Sequence, residues 1–463
     1  MTLEAGSAAA RDVDSVLHPY TNLGQHHEQG PMMMSRAEGI NVWDDKGNQY
    51  IEGLAGLWCT ALGYANEELA ETAYQQMKKL SYSHMFIGKS HEPGMELAEK
   101  IKQIVPMEAS KVFFGCSGSD ANDTQVKLMW YYNNIVGRPK KKKIIGRHKG
   151  YHGITLAATS LTGLPAVHKF FDAPLEGRFL HTDPPYYYRF AEPGESEEDF
   201  ASRLAQNLEK LILDEDPDTI AAFIAEPVMG AGGVLVPPAT YFEKIQAVLD
   251  KYDIFFIADE VITGLGRTGQ PFGSQTFNIR PDTMSMAKAL TSAYQPLSAV
   301  IIPDKIYQAL VEGSAEVGNF AHGYTFSGHP VAAAVGLKTL EIMERDNIFQ
   351  HAAKVGVRFQ ERLHALCEHP LVGESRGVGM IGALELVANK ATREAFDPGD
   401  KIGMECLDNC HRHGLIVRAI GDNMALCPPL IATESDIDDI FDRLGKSLDN
   451  TLESVRKKGL ITE

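Results

Sequence analysis

Cysteine, long apolar runs and signal-like segments are scarce or absent in this chain. Only six of its 463 residues are cysteine, and they are widely spaced, which suits a reducing compartment better than a disulfide framework. No apolar stretch approaches the roughly 20 residues of a membrane span. The first sixteen residues lack the basic start and apolar core of a secretory signal. We therefore expect a cytoplasmic protein without a membrane span.

An excess of basic charge is also lacking. Lysine and arginine number 44 against 61 aspartate and glutamate residues, which gives a formal net charge of -17. Such a balance argues against nucleic acid or an anionic membrane as the main partner. Hydrophobic residues make up 44% of the chain, enough to bury a sizeable core. The length fits one large domain with a smaller one, or two or three domains of ordinary size.

Strands alternate with helices between residues 66 and 330. The strands are continuous apolar runs, which is typical of a mostly parallel sheet covered on both faces, the α/β class. We predict strands near residues 111–114, 143–146, 220–225, 254–258 and 297–302 and helices near 120–136, 199–213 and 240–251. Two helices, a strand-rich section and an amphipathic helix follow. We predict a large domain over residues 66–330 and a smaller α+β domain formed by residues 1–65 and 331–463 together.

Lys288 is an unusual residue for its position. Its neighbours are small or apolar, and the stretch before it predicts a short buried strand. Lysine is almost never fully buried without a partner. Taken alone, Lys288 is best interpreted as a strand-end lysine that reaches water. The alternative is a desolvated amine with a depressed pKa that serves as a nucleophile.

The segment Gly115-Cys-Ser-Gly-Ser119 follows a predicted strand and opens a helix. Ser117 and Asp120 match a capping box. A helix N-terminus behind a glycine-containing turn offers free N–H groups and the positive end of the helix dipole. The segment is therefore either an ordinary capped helix or a phosphate site.

Other polar side chains follow three further strands. Asp259 ends one strand and Glu226 ends another, and each buried carboxylate needs a cationic or hydrogen-bonding partner. Tyr151 and His152 follow a third strand, where they could equally be turn residues. In open α/β sheets ligands bind at the carboxyl ends of the strands. Together with Ser119 and Lys288, these residues predict one shared site.

Two motifs compete with this interpretation. The run Gly264-Leu-Gly-Arg-Thr-Gly269 fits a dinucleotide fingerprint, but no helical period follows it as that fingerprint requires. Cys406, Cys410, His411 and His413 cluster without a usual zinc spacing, which favours a packed helix end. A nicotinamide-dependent enzyme and a non-enzymatic binding protein remain alternatives at this level.

With these residues assembled, the chain resembles the class III (omega) aminotransferases, which depend on pyridoxal phosphate and have fold type I. The similarity runs from about His18 to the C-terminal helix. It rests on the Ser-Gly-Ser turn at 117–119, Tyr151-His-Gly, Ala225-Glu-Pro, Asp259-Glu-Val, Lys288 and the segment 322–330. Within the class the chain looks most like the omega-amine:pyruvate transaminases, because of the segments 56–58, 226–233 and 427–430.

The resemblance implies a role for each matching position. Lys288 would form the Schiff base and carry the proton, Asp259 would hold the pyridine nitrogen protonated, and Glu226 would support Asp259. Thr325 would complete the phosphate site of a neighbouring subunit, which implies a homodimer with shared active sites, or a tetramer. The implied cofactor-binding residues are Ser117, Gly118, Ser119, Tyr151, His152, Glu226, Asp259, Val261, Lys288 and Thr325.

The implied substrate pocket includes an arginine, Arg418, that would pair with a carboxylate and swing away for an apolar amine. The remaining lining residues are Trp58, Phe86, Tyr151, Ile262 and the neighbouring subunit's Tyr324. No metal is implied. The sequence departs from the usual pattern at Gly115-Cys116, at Asp120 in place of glutamate, and at Tyr324 in place of a common phenylalanine.

These expectations define a ping-pong transaminase. It would move an amino group from a primary amine or omega-amino acid to pyruvate or another keto acid. The alternative within the fold is a decarboxylase, racemase or aminomutase that uses the same cofactor. The physiological amine and the enantiopreference are left open by the sequence.

Overall fold

The computed structural model describes residues 3–461, which form sixteen α-helices and fifteen β-strands. The strands are β1 (Met34–Glu38), β2 (Asn41–Asp44), β3 (Gln49–Glu52), β4 (Lys111–Gly115), β5 (Lys143–Arg147), β6 (Phe179–Thr182), β7 (Ile220–Ala225), β8 (Phe255–Asp259), β9 (Thr283–Met286), β10 (Ser298–Ile302), β11 (Val372–Val378), β12 (Ile381–Leu386), β13 (Leu415–Ile416), β14 (Arg418–Ile420) and β15 (Asn423–Leu426).

The helices vary from single turns to twenty-five residues. They are α1 (Ala8–Ser15), α2 (Leu23–Gln29), α3 (Ala55–Trp58), α4 (Glu67–Leu80), α5 (Glu92–Ile104), α6 (Gly118–Ile135), α7 (Leu156–Leu161), α8 (Tyr187–Phe190), α9 (Glu197–Asp214), α10 (Tyr241–Lys251), α11 (Gly273–Thr276), α12 (Asp304–Val317), α13 (Pro330–Arg345), α14 (Ile348–Ala365), α15 (Ile402–Arg412) and α16 (Glu434–Lys458). No helix within residues 3–461 is long and apolar enough to cross a membrane.

A seven-stranded sheet carries the strands that the sequence predicts, in the order β4-β10-β9-β8-β7-β5-β6. The pairs from β9 through β8, β7 and β5 to β6 are parallel. Strand β10 runs antiparallel to both of its neighbours, β4 and β9. The expected mixed α/β fold with a mostly parallel sheet is thus confirmed. The sequence analysis missed β6, a four-residue edge strand with little apolar signal.

Helices cover both faces of this sheet, which explains its continuous apolar strands. On one face Phe200 and Leu208 of α9 and Phe242 of α10 pack against Phe223 and other strand residues. On the other face residues of α6, α7 and α12 pack against the same strands. Every residue of β7 and β8 is buried. Both faces are apolar, so the polar chemistry of these strands is confined to their ends.

The two ends of the chain meet in one small sheet, in the order β1-β2-β3-β13. Strand β13 pairs in parallel with β3, so a C-terminal strand extends an N-terminal hairpin. Cys427 also donates its backbone N–H to the carbonyl of Gly53, at 2.7 Å. This pairing accords with the predicted smaller domain of residues 1–65 and 331–463, whose boundaries stay a prediction.

Candidate active site

A cavity of about 140 Å³ lies where β5, β7, β8 and β9 end and α6 begins. Nine of the predicted site residues line it. They are Gly118, Ser119, Tyr151, His152, Glu226, Asp259, Val261, Ile262 and Lys288, joined by Asn122 and Gly153. A larger cleft of about 530 Å³, lined by Lys149, Glu385 and Asp422 among others, contains none of the predicted residues. The chemistry therefore belongs to the smaller cavity.

Lys288 comes two residues after β9, at the start of a short 3-10 turn. Its φ of +50° lies in the left-handed region, which is uncommon for a residue with a side chain and is often retained at functional sites. Burial lowers the pKa of its amine, and the nearby Asp259 carboxylate opposes that shift. Its amine forms no hydrogen bond or ion pair with any residue from 3 to 461. Lys288 is thus a half-buried lysine at the cavity whose partly desolvated amine has no partner among the described residues.

Asp259 has its carboxylate held by three groups from different parts of the chain. Its Oδ2 accepts a hydrogen bond from Asn122 Nδ2 and pairs with His152 Nδ1, each at 2.8 Å. Its Oδ1 accepts from the backbone N–H of Val261 at 3.1 Å. The side chain is only 3% exposed. These contacts fix the orientation of a buried carboxylate beside the cavity.

Glu226 directly follows β7 and is also buried. Its carboxylate accepts from the backbone N–H groups of Tyr151 at 2.9 Å and Gly230 at 3.0 Å. Burial raises the pKa of Glu226, His152 opposes that shift, and the neighbouring Asp259 adds to it. The two carboxylates therefore share one environment, in which Glu226 holds the loop that carries Tyr151.

The start of α6 forms a cradle beside Val261. Ser117 Oγ caps the helix by accepting from the Asp120 N–H at 3.2 Å, and Asp120 Oδ1 accepts from the Ser117 N–H at 3.1 Å. A Cβ at Gly118 would lie 3.0 Å from the Val261 side chain. A Cβ at Gly153, whose φ is +129°, would lie 2.5 Å from Ser119 Oγ. Both glycines thus keep the helix N-terminus open to the cavity.

Pyridoxal phosphate fits the residues that meet here. Lys288 supplies a half-buried amine that has no partner among residues 3–461, which suits a Schiff base with an aldehyde. Asp259 supplies a fixed buried carboxylate, which suits a protonated pyridine nitrogen. The open N-terminus of α6, with Ser119, suits a phosphate group. When bound, the cofactor supplies an electron sink that stabilises negative charge at the substrate carbon.

Trp58 and Ile262 pack together in one buried cluster, which places Trp58 behind a residue of the cavity wall. Trp58 is 2% exposed and has a φ of +65°. It lies after β3, in the segment that contains Gly53 and Ala61. The carbonyls of these two residues accept backbone hydrogen bonds from the C-terminal section, which hold the segment in place.

Arg418 begins β14 and is half-buried near the Tyr151 and Tyr20 hydroxyls. Burial lowers the pKa of its guanidinium. Within residues 3–461 it forms no ion pair with a carboxylate and no side-chain hydrogen bond. A half-buried guanidinium without a counter-charge beside the cavity is a ready partner for a carboxylate.

Three predicted residues lie away from this cavity. Phe86 is 42% exposed, and its ring packs against Gly323. Thr325 is exposed, with its carbonyl accepting from the Tyr82 hydroxyl at 2.8 Å. Tyr324 donates its hydroxyl to the carbonyl of Asp120 at 3.0 Å, so within this chain the hydroxyl closes onto α6 and does not face the cavity. Thr325 and Tyr324 are predicted to act in the site of a neighbouring subunit, whereas Phe86 is predicted to line the pocket of its own chain.

Two residues at the site escaped the sequence analysis. Asn122 donates through Nδ2 to Asp259 and to the carbonyl of His152. The only feature of the sequence that could have pointed to Asn122 is its place in the first turns of α6, the helix that starts at the site. Tyr20 places its hydroxyl 3.4 Å from that of Tyr151. Tyr20 lies in the polar N-terminal leader, where no periodicity singled it out.

The glycine run 264–269 is not a dinucleotide site in this fold. It leads into α11, a single four-residue turn. Arg267 in this run is buried and donates to the carbonyls of Met380 and Pro428. The run thus fastens the central sheet to the C-terminal section. Cys406 and Cys410 are likewise buried in α15, as a packed helix end requires.

The chain is similar to known proteins over most of its length. The family model for class-III aminotransferases matches residues 23–448. "Gamma-aminobutyrate transaminase 1, mitochondrial" of Oryza sativa is 50% identical over 441 residues, which are 95% of this chain and 85% of that protein. The omega transaminase of Pseudomonas jessenii, solved in complex with PMP, is 51% identical with a TM-score of 0.96, covering 97% of this chain and 99% of the other.

A further solved neighbour is a thermostable omega transaminase variant engineered for asymmetric synthesis of enantiopure bulky amines. It has a TM-score of 0.95 and 51% identity, over 97% of this chain and all of that one. The predicted family, fold and cofactor are confirmed, and the nicotinamide and non-enzymatic alternatives are excluded. The chain belongs to the pyridoxal-phosphate-dependent class III aminotransferases.

Proposed function

We propose that this aminotransferase takes nitrogen from a primary amine or omega-amino acid and passes it to pyruvate. The observation that carries the proposal is Arg418. It is half-buried beside Tyr151 and lacks a carboxylate partner among the described residues. A keto acid such as pyruvate brings the missing carboxylate, and a guanidinium binds it through two parallel hydrogen bonds.

The amine donor has two supported classes. Relatives named gamma-aminobutyrate transaminases point to an omega-amino acid, whose own carboxylate would also suit Arg418. The neighbour engineered for bulky amines points to donors without a carboxylate. The apolar wall made by Trp58 and Ile262 suits the hydrocarbon part of either donor. We infer that both classes react, with the omega-amino acid favoured because it satisfies Arg418.

Lys288 and Asp259 have different roles in the proposed reaction: one transfers a proton and the other stabilises charge. Lys288 would hold the cofactor through its amine and would take up the proton that leaves the substrate carbon, which requires the neutral amine. Its lowered pKa keeps that amine neutral over a wider pH range. Asp259 stabilises positive charge on the ring nitrogen, and Asn122 and His152 hold Asp259 in place.

We also propose a homodimer in which Thr325 completes the neighbouring phosphate site. Thr325 is exposed, and large apolar side chains surround its segment on the surface. Phe326 is 57% exposed, Ile87 is 97% exposed, and the Tyr82 ring lies edge-on to Phe326. Light scattering should give twice the chain mass, and Thr325→Val should weaken cofactor retention. A monomer that retains full cofactor affinity would refute this assembly.

A cytoplasmic location is likewise proposed.

The deciding experiment follows the visible absorbance of the purified holoenzyme through the two half-reactions. Gamma-aminobutyrate, or an aryl amine without a carboxylate, should abolish the band of the bound aldehyde cofactor. Pyruvate should then restore it and yield one alanine for each site restored.

Three outcomes would contradict the proposal. Restoration by 2-oxoglutarate but not pyruvate would reject the acceptor. Loss of the band with carbon dioxide release would indicate a decarboxylase. A racemised product without nitrogen transfer would indicate a racemase.

A further inference from the structure

Three metal-binding side chains converge in the N-terminal segment, outside the active-site cavity. Asp12 belongs to α1, His26 to α2, and His18 to the loop between them. One donor atom from each lies within 4.8 Å of the other two. Two imidazoles and one carboxylate are a donor set typical of zinc and similar divalent transition ions.

Two of the separations at this cluster can be compared with the spacing of ligands around a zinc ion. Asp12 Oδ2 is 3.4 Å from His26 Nε2. Ligands on a tetrahedral zinc ion lie about 3.3 Å apart, given metal–ligand bonds of about 2.0–2.1 Å. His18 Nε2 is hydrogen-bonded to the same oxygen at 2.6 Å, so this separation would lengthen by about 0.7 Å on binding zinc.

His26 supplies an independent indication. Its side chain is 8% exposed, and its Nε2 forms no hydrogen bond within the described chain although it is directed at Asp12. A buried polar atom without a partner calls for an explanation such as an unseen ion or water. The rings of His18 and His26 lie with centroids 4.1 Å apart, and both Nε2 atoms lie within 3.4 Å of Asp12 Oδ2.

We propose that Asp12, His18 and His26 bind one zinc-class divalent ion per chain. Three protein ligands leave a fourth position for water. The ion would join α1 to α2 across the loop that carries Tyr20. Since the Tyr20 hydroxyl lies 3.4 Å from that of Tyr151, the ion would restrain a segment that covers the active-site wall.

The test is a calorimetric titration of tag-free holoenzyme with zinc chloride in a non-coordinating buffer. We expect one zinc per chain in the wild type. His26→Gln and Asp12→Asn should each raise the Kd at least about tenfold, since each removes a ligand. His27→Gln is the matched control, because His27 is adjacent but exposed, and it should bind as the wild type does. Magnesium, which prefers oxygen ligands, should not compete.

Hydrogen exchange gives a second readout. Zinc should slow amide exchange over residues 8–29 in the wild type and in His27→Gln but not in His26→Gln. The visible cofactor band checks that each variant is folded. Two results would overturn the proposal: no zinc binding up to about 0.1 mM, or equal zinc affinity in all four proteins.

Discussion

The inner end of the active site and its outer border are built differently. The inner end holds Lys288, Asp259 and Glu226 at or just beyond the ends of parallel strands, and hydrogen bonds within one chain fix the two carboxylates. The outer border uses loops and β14, the edge strand of the sheet β11-β12-β15-β14. Arg418 there has no partner among the described residues, and Phe86 and Thr325 face outwards.

This difference indicates which part of the reaction each region governs. Groups fixed at strand ends can serve the chemistry that is common to every substrate, because their positions do not change. An unpartnered arginine and exposed aromatic groups can adapt to different substrates. Changes in the inner end should therefore affect all substrates equally, whereas changes at the border should discriminate between them.

The largest effect is expected for Lys288→Ala. It removes both the Schiff-base amine and the acid–base group, so turnover should fall by about 10⁴-fold for every amine and keto acid. Steady-state alanine formation measures it, with circular dichroism as the folding control. Retained turnover would refute the role of Lys288.

Asp259→Asn should be nearly as severe. The amide keeps the volume but removes the negative charge opposite the ring nitrogen, so kcat should fall about 10²–10³-fold, equally for all substrates. The control is Asn122→Ala, which leaves the charge and removes one hydrogen bond to it, at a cost of about 1 kcal/mol. A loss confined to one substrate would place Asp259 in the adaptable border instead.

Arg418→Ala should separate the two regions directly. The loss of a charge-assisted, two-pronged contact should lower kcat/KM for pyruvate about 10–100-fold. The half-reaction with an amine that lacks a carboxylate should change little. Single half-reactions followed spectroscopically give the ratio, and equal losses on both would count against a carboxylate-binding role.

The smallest effect concerns how the free energy of unfolding changes with pH through the carboxyl group of Glu52. This residue ends β3, ahead of Trp58 in the chain. Burial raises the pKa of Glu52 to about 7 from an ordinary value near 4.5, and its carboxylate accepts from the Leu54 N–H at 3.0 Å. Between these pH values the folded protein binds this proton more tightly than the unfolded chain does. The stability that Glu52 contributes is therefore present below pH 4.5 and is lost as the pH rises through about 7.

Glu52→Gln should remove this contribution while keeping the acceptor for Leu54. The fall in unfolding free energy between pH 5 and pH 8 should shrink by up to about 3 kcal/mol. Urea unfolding at both pH values measures it. An unchanged fall would show that Glu52 is not the titrating group.

The inner end could be predicted almost entirely from the sequence. Each of its residues sits beside a continuous apolar strand, and polar groups at the ends of parallel strands must meet at one sheet edge. The capping box at Ser117 and the helix that it starts were readable for the same local reason.

The family resemblance fixed identities at the border that local pattern could not. Trp58, Phe86, Tyr324 and Arg418 have no periodicity that marks them as neighbours. The sequence also gave no sign that the Tyr324 hydroxyl would close onto the Asp120 carbonyl.

The sequence by itself thus determined the fold class and the polar residues at the strand ends, because short-range patterns encode strands, caps and strand ends, whereas the family resemblance supplied the cofactor and the predicted role of Lys288. Only the tertiary structure decided that β10 runs antiparallel, that Asn122 orients Asp259, and that Arg418 lies unpaired near Tyr151. Asn122 and Asp259 are 137 positions apart in the chain. Contacts at such separation follow from how the layers pack, which no local pattern of residues encodes.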